Sequence, residues 1–168
     1  AESFYHAPRL RAPRRLDGRV RNPNNGTGMR VVAGRWRGRT LRAPRGLDVR
    51  PTTDRVREAV FSILANRVEE ARVLDLFGTG AMAIEALSRG AARAVLVESS
   101  PPAAAVLKEN LASLEASTAV CLSLDFRKAL RRLSARGETF SLVFLDPPYG
   151  KGLIGKAAEE LDGTGVLE

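Results

Sequence analysis

The chain has a single cysteine, Cys121, and a single histidine, His6. No disulfide can close within it, and no set of four Cys/His ligands can form around zinc. A zinc-dependent enzyme, a disulfide-stapled secreted domain, and Cys-His or Ser-His nucleophilic catalysis are therefore not expected. Long apolar runs are also missing. The longest stretches, such as Ala94-Val95-Leu96-Val97 and Leu142-Val143-Phe144-Leu145, fall far short of the roughly 20 residues that span a bilayer. What remains is 168 residues, 44% of them hydrophobic, with a mean hydropathy of −0.15, which suits one soluble globular domain with one core.

Lysine is absent from the first 50 residues, which hold 13 arginines against Glu2, Asp17 and Asp48, a net +10. The rest of the chain carries 14 basic and 16 acidic residues, so all the net basicity is N-terminal. Arginine matches phosphate geometry and gains from counterion release, and such a segment on a near-neutral body points to a polyanionic partner. A solvated arginine-rich tail is the plainer alternative.

Residues 1–28 hold six arginines, three prolines and the run Asn22-Pro23-Asn24-Asn25-Gly26-Thr27-Gly28, with no period of 2 or 3.6. They read as an irregular, flexible leader, without the apolar core of a secretory signal, and Met29 is a candidate start. The expected localisation is cytoplasmic, or organellar if the leader is processed. From Met29 to Leu41 two short strands around a Gly-containing turn are expected, with arginines projecting from them. Thr52-Thr53-Asp54 then offers caps for a helix of about 14 residues carrying Val56, Ala59, Val60, Ile63 and Leu64 on one face.

Beyond it, strand and helix alternate. Strands are expected at 73–77, 94–98, 119–124 and 140–145, and helices at 81–89, 103–114 and 126–133. This order implies right-handed crossovers and a Rossmann-like, doubly wound, mostly parallel α/β sheet with a small N-terminal hairpin extension.

Four places carry chemistry. Asp75-Leu76-Phe77-Gly78-Thr79-Gly80 ends a strand in a glycine turn and opens a helix; it either admits a ligand to the backbone or simply needs glycine for the turn. Glu98 ends the next strand, where an acid can accept hydrogen bonds from both ribose hydroxyls of a nucleoside cofactor, or remain a solvated strand end. Asp125, after the third strand, can receive an adenine amino group or cap the next helix. Asp146-Pro147-Pro148-Tyr149-Gly150 follows an apolar strand. Its prolines stop the strand and leave carbonyls without competing donors, so Asp146 and the Pro147 carbonyl form an acceptor pair suited to a planar amino group, with the Tyr149 ring free to stack on a base.

The segments Met29-Arg30-Val31-Val32-Ala33-Gly34-Arg35-Trp36-Arg37-Gly38-Arg39, Arg50-Pro51-Thr52-Thr53-Asp54-Arg55-Val56-Arg57-Glu58, Glu85-Ala86-Leu87-Ser88-Arg89-Gly90-Ala91 and Asp146-Pro147-Pro148-Tyr149 together resemble the bacterial methyltransferases that act on guanine N2 in small-subunit (16S) ribosomal RNA. The resemblance covers roughly residues 29–152. Asp-Pro-Pro-Tyr alone is shared with other amino-group methyltransferases, and the two middle segments are more particular. The chain departs from the family's usual Asp-x-Phe-Ala-Gly-x-Gly by a turn one residue short and by Ala83 in place of a later glycine. The family also continues through further strands beyond the position of Glu168.

The resemblance implies S-adenosylmethionine as methyl donor and an rRNA guanine as acceptor, in free RNA or an assembling 30S particle. It assigns Asp75, Phe77, Gly78, Gly80, Glu98 and Asp125 to the cofactor, and Asp146, Pro147, Pro148 and Tyr149 to catalysis. Arg35, Trp36, Arg37, Arg39, Arg50, Thr53 and Arg55 fall to RNA, and no residue to a metal. Asp-Pro-Pro-Tyr also permits a DNA adenine-N6 methyltransferase, against which the lack of a separate target-recognition region counts. A non-catalytic nucleic-acid-binding module and an enzyme of small-molecule metabolism are further alternatives.

Overall fold

The computed structural model describes residues 29–44, 52–77, 79–147 and 152–168. The expected leader, Arg50, Gly78, Pro148 and Tyr149 lie outside the described residues. Helix α1 spans Asp54–Leu64 and runs into a 3-10 turn, Ala65–Arg67. The expected length of about 14 residues is divided between these two pieces. Four parallel strands follow: β1 (Arg72–Asp75), β2 (Arg93–Val97), β3 (Ala119–Leu122) and β4 (Leu142–Phe144). Between them run α2 (Ala81–Ser88), α3 (Pro101–Ser113) and α4 (Phe126–Ser134).

The strand order is β3-β2-β1-β4, so the chain winds outward from β1, then crosses back to pair β4 with the other side of β1. Both faces of the sheet are covered, which is why the strands read as continuous apolar runs rather than as alternation. Val73, Ala94 and Leu96 join a core with α1, α2 and α3. Leu74, Leu76, Val95 and Val97 join a second core on the opposite face, with α4 and a fifth helix, α5 (Leu153–Thr164).

Two expectations change in detail. The fourth strand is shorter than 140–145; Phe140 instead forms an isolated parallel bridge to Leu167, placing another chain segment beside the start of β4. The N-terminal hairpin exists with a single antiparallel bridge, Arg30↔Thr40, and a turn between Gly34 and Gly38, both at φ of 80°. Its order comes from docking. Val32 N and Ala33 N donate to the Glu85 carboxylate (2.8 and 2.9 Å), Trp36 N donates to Ser88 Oγ (3.0 Å), and Arg35 N donates to the Ser88 carbonyl (2.8 Å). Asn110 pairs with both backbone groups of Arg42 at 2.9 Å. Gly34 lies so close to α2 that a Cβ there would overlap the Ser88 carbonyl. Met29, Val31 and Leu41 are buried in the same core as β1 and α2, so the extension is part of the main fold.

Candidate active site

The direction of winding reverses between β1 and β4, and the carboxyl ends of the strands at such a switch point are where open α/β sheets bind ligands. The register pairs Asp75 with Phe144, and Leu76 N donates to the Phe144 carbonyl (3.1 Å). Asp75 and the Asp146-Pro147 turn therefore leave the sheet side by side. Asp75 is 3% exposed and its Oδ2 accepts from Ala83 N, in the first turn of α2 (3.3 Å). Burial pushes its carboxyl up to about 7, and the Asp146 and Glu98 carboxylates push the same way, while backbone N–H groups of Ala83 and Phe77 oppose them. The three carboxylates read from the sequence thus converge at one sheet edge.

Gly80 begins α2 in the left-handed region (φ 71°). A Cβ there would come within 2.5 Å of Leu107 and 2.6 Å of Leu96, so glycine is required for the helix to pack against β2 and α3. Phe77 packs its ring on Phe126, with centroids 5.2 Å apart. Glu98 follows β2, and its Oε1 accepts from Ser100 N (2.6 Å), which holds the carboxylate near the carboxyl end of β2. Asp125 takes the helix-capping geometry: its side chain accepts from Arg127 N (3.0 Å) at the start of α4. Asp146 is exposed and Pro147 is buried, so the carboxylate faces solvent from an anchored turn. Asp146 Oδ2 accepts from Thr52 Oγ1 (2.9 Å), a bond that crosses 94 positions of sequence.

Cysteine takes no part. Cys121 sits half-buried in β3, and desolvation pushes its thiol up to about 11, which leaves it protonated and unreactive at neutral pH. Among the described residues, no cluster of His, Cys, Asp and Glu could hold a metal ion, and no helix is long and apolar enough to cross a membrane.

The residues expected at the RNA do not gather in one place: Thr53 and Arg55 lie at the start of α1, next to the Thr52 that bonds Asp146, whereas Arg35, Trp36 and Arg39 meet the C-terminal ends of α2 and α3, at the amino edge of the sheet. Thr53 is the N-cap of α1 and accepts from Val56 N (3.3 Å), and Arg55 is exposed in the first turn. Arg35 stacks over the half-buried Trp36 ring at 3.9 Å. Arg39 Nη2 donates to the Ser113 carbonyl at the end of α3 (2.7 Å), and Arg37 is exposed at the tip of the turn. Sequence reasoning missed Thr52, Glu85, Ser88 and Asn110. The available signal was the pair Glu85 and Ser88, polar residues three apart in an otherwise apolar helix that is buried on all sides.

The chain is similar to known proteins. Residues 29–168 match the family described as Conserved hypothetical protein 95. The chain is 40% identical over 151 residues to the Escherichia coli protein named ribosomal RNA small subunit methyltransferase D, covering 88% of this chain and 75% of that one. A protein of the same name from Haemophilus influenzae is 36% identical over 137 residues, covering 78% and 69%. Among solved structures, a hypothetical protein of a Thermus species superposes with a TM-score of 0.71 at 36% identity, covering 83% of this chain and 80% of that one.

Proposed function

Because the chain belongs to the Conserved hypothetical protein 95 family, we propose that it transfers a methyl group from S-adenosylmethionine to the exocyclic N2 of a guanine in small-subunit ribosomal RNA. The observation that carries this reading is the Asp146-Pro147 turn standing at the carboxyl end of β4, beside buried Asp75 at the end of β1. The names of the relatives support small-subunit rRNA as substrate.

The residues present fit a sulfonium nucleoside. Glu98 and Asp146 stand with buried Asp75 at one edge, and the charges of Glu98 and Asp146 that bear on Asp75 are both negative. Such a cluster favours a cationic ligand. Asp75, Glu98 and the turn through Phe77, Gly78 and Gly80 would hold the cofactor, with Asp125 beside its adenine. When bound, S-adenosylmethionine supplies an activated methyl group.

The protein's own work is positioning. Asp146 and the Pro147 carbonyl accept hydrogen bonds from the guanine amine, which turns its lone pair toward the methyl donor, and Tyr149 holds the base after it leaves the RNA stack. These acceptors count for more as the amine loses planarity than before, so they act on the rate. Arg35, Arg37, Arg39, Arg50 and Arg55, with Trp36 and Thr53, are the residues assigned to RNA contact in this reading.

Single-turnover methylation of small-subunit rRNA with tritiated donor, followed by nucleoside analysis, tests the proposal. Asp146→Ala is expected to slow transfer by about 10²-fold while leaving cofactor affinity within about threefold. Full activity of that variant would overturn the residue assignment. N6-methyladenine as product would overturn the choice of base, and RNA binding without any transfer would make the chain a binding module.

A further inference from the structure

Asp146 is held from outside its own turn. Asp146 is exposed, and an exposed carboxylate rotates freely unless something fixes it. Thr52 supplies that contact through its hydroxyl, donated to Asp146 Oδ2. Among the described residues, Thr52 is the donor to Asp146, and it reaches Oδ2 alone.

Thr52 is in turn fixed from behind. Its carbonyl accepts from Arg57 Nη1 (3.1 Å), while Arg57 Nη2 donates to the Arg30 carbonyl and to Asp54 Oδ1, both at 2.6 Å. Arg57 is 1% exposed, and its Nε is buried without a partner among the described residues. Burying a guanidinium with an orphaned N–H is unfavourable. Helix α1 does not need it for its own start, since Thr53 already caps the helix and Asp54 already places an acid in the first turn. What the buried arginine achieves is geometric: it ties the hairpin, the start of α1 and Thr52 into one unit that ends at Asp146.

We infer that Thr52 is a positioning residue for methyl transfer, holding one oxygen of Asp146 so that the other meets the acceptor amine, with Arg57 setting the place of Thr52. The inference rests on the role proposed for Asp146. On this view the Arg-Pro-Thr-Thr-Asp-Arg segment contributes to the chemistry and not to RNA contact alone.

The test compares Thr52→Val, Thr52→Ala and Thr52→Ser in the full chain, with and without Asp146→Ala. At saturating S-adenosylmethionine and rRNA, Val and Ala are each expected to slow single-turnover transfer about tenfold, the size of one lost hydrogen bond to a charged group. Ser is expected to stay within about twofold of the parent, and cofactor and RNA dissociation constants to stay within about twofold in all three. On the Asp146→Ala background, Thr52→Val is expected to add no further slowing. Undiminished rates in Val and Ala, with Asp146→Ala still impaired, would overturn the inference and leave the proposed function standing. A further tenfold loss in the double variant, or a loss confined to RNA or cofactor affinity, would also overturn it, because Thr52 would then act other than through Asp146. An Asp146→Ala protein at full rate would remove the role proposed for Asp146 and this inference together, while leaving methyl transfer itself standing.

Discussion

On one face of the sheet, where α1, α2, α3 and the N-terminal hairpin pack, lie all five buried polar or charged side chains among the described residues: Arg57, Asp75, Glu85, Ser88 and Asn110. On the other face α4 and α5 meet through Phe126, Ala129, Leu130, Leu133, Ala157 and Leu161, all apolar, with polar contacts only at the margin: Ser134 Oγ donates to the Thr164 carbonyl (2.6 Å) and the part-exposed Arg127 pairs with Glu160 (3.3 Å). Hydrophobic burial is non-directional and tolerates small shifts, whereas a buried carboxylate accepting from two backbone N–H groups fixes a register. The polar face is the one that carries the hairpin and, through Thr52, reaches Asp146. Directional bonding is thus concentrated where one segment must be placed accurately against another.

The contrast is broken most directly by paired substitutions of conserved size. Glu85→Gln leaves an amide donor facing Val32 N, Ala33 N and the Arg89 guanidinium, and is expected to lower stability by about 3–5 kcal/mol. Leu130→Met, equally buried on the other face, is expected to cost less than about 1.5 kcal/mol. Denaturant unfolding measures both, and similar losses would show that the two faces obey the same rules.

Asp75 gives the next largest effect. Its folded value of about 7 lies above the ordinary carboxylate value, so between about pH 4 and pH 7 the unfolded chain ionises there while the folded chain does not. Stability contributed by this site therefore falls as pH rises through that window and levels off above it, by about 4 kcal/mol in all. Asp75→Asn is expected to remove that slope from a plot of unfolding free energy against pH. A slope unchanged in the Asn variant would mean that the carboxyl is ionised in the folded protein.

The smallest effect sharpens the comparison at the surface. Neutralising Arg37 and Arg55 on the polar face is expected to flatten the dependence of log RNA affinity on log salt by about one to two units, at about 0.7–0.9 per phosphate contact, with stability within about 0.5 kcal/mol. The same treatment of Lys128 and Arg131, exposed on α4, is expected to leave the slope unchanged. Equal responses would mean that RNA wraps both faces.

The sequence made the sheet and its first four helices readable within two or three residues at most boundaries, because buried parallel strands announce themselves as apolar runs such as Val73-Leu74 and Ala94-Val95-Leu96-Val97. Helix α5 left no such mark: Gly155 and Gly163 interrupt it and Ile154 points to solvent. At the site, Asp75, Glu98 and Asp146 could be found because strand ends in this topology share an edge. Asp125 had two readings, and the structure displays the capping one. Thr52 could not be found. A single threonine bonded to an aspartate 94 positions away produces no periodicity, and its partner's role is visible only once β4 stands beside β1. For Glu85, Ser88 and Asn110 the sequence shows polar residues in helices, and only the docked hairpin explains their burial.

The hairpin's dependence on α2 and α3 has a consequence for the order in which the protein is made. Residues 29–42 are translated early, yet their partners Glu85, Ser88, Asn110 and Ser113 come 52 to 74 positions later. At about 5–20 residues per second the segment waits for several seconds at least, exposing Met29, Val31 and Leu41 before a surface exists to receive them. Arginines at 30, 35, 37, 39 and 42 surround those apolar residues throughout the wait and oppose self-association by charge repulsion. The same side chains that later pair with Asp54, Glu109 and the end of α3 thus protect the nascent chain first.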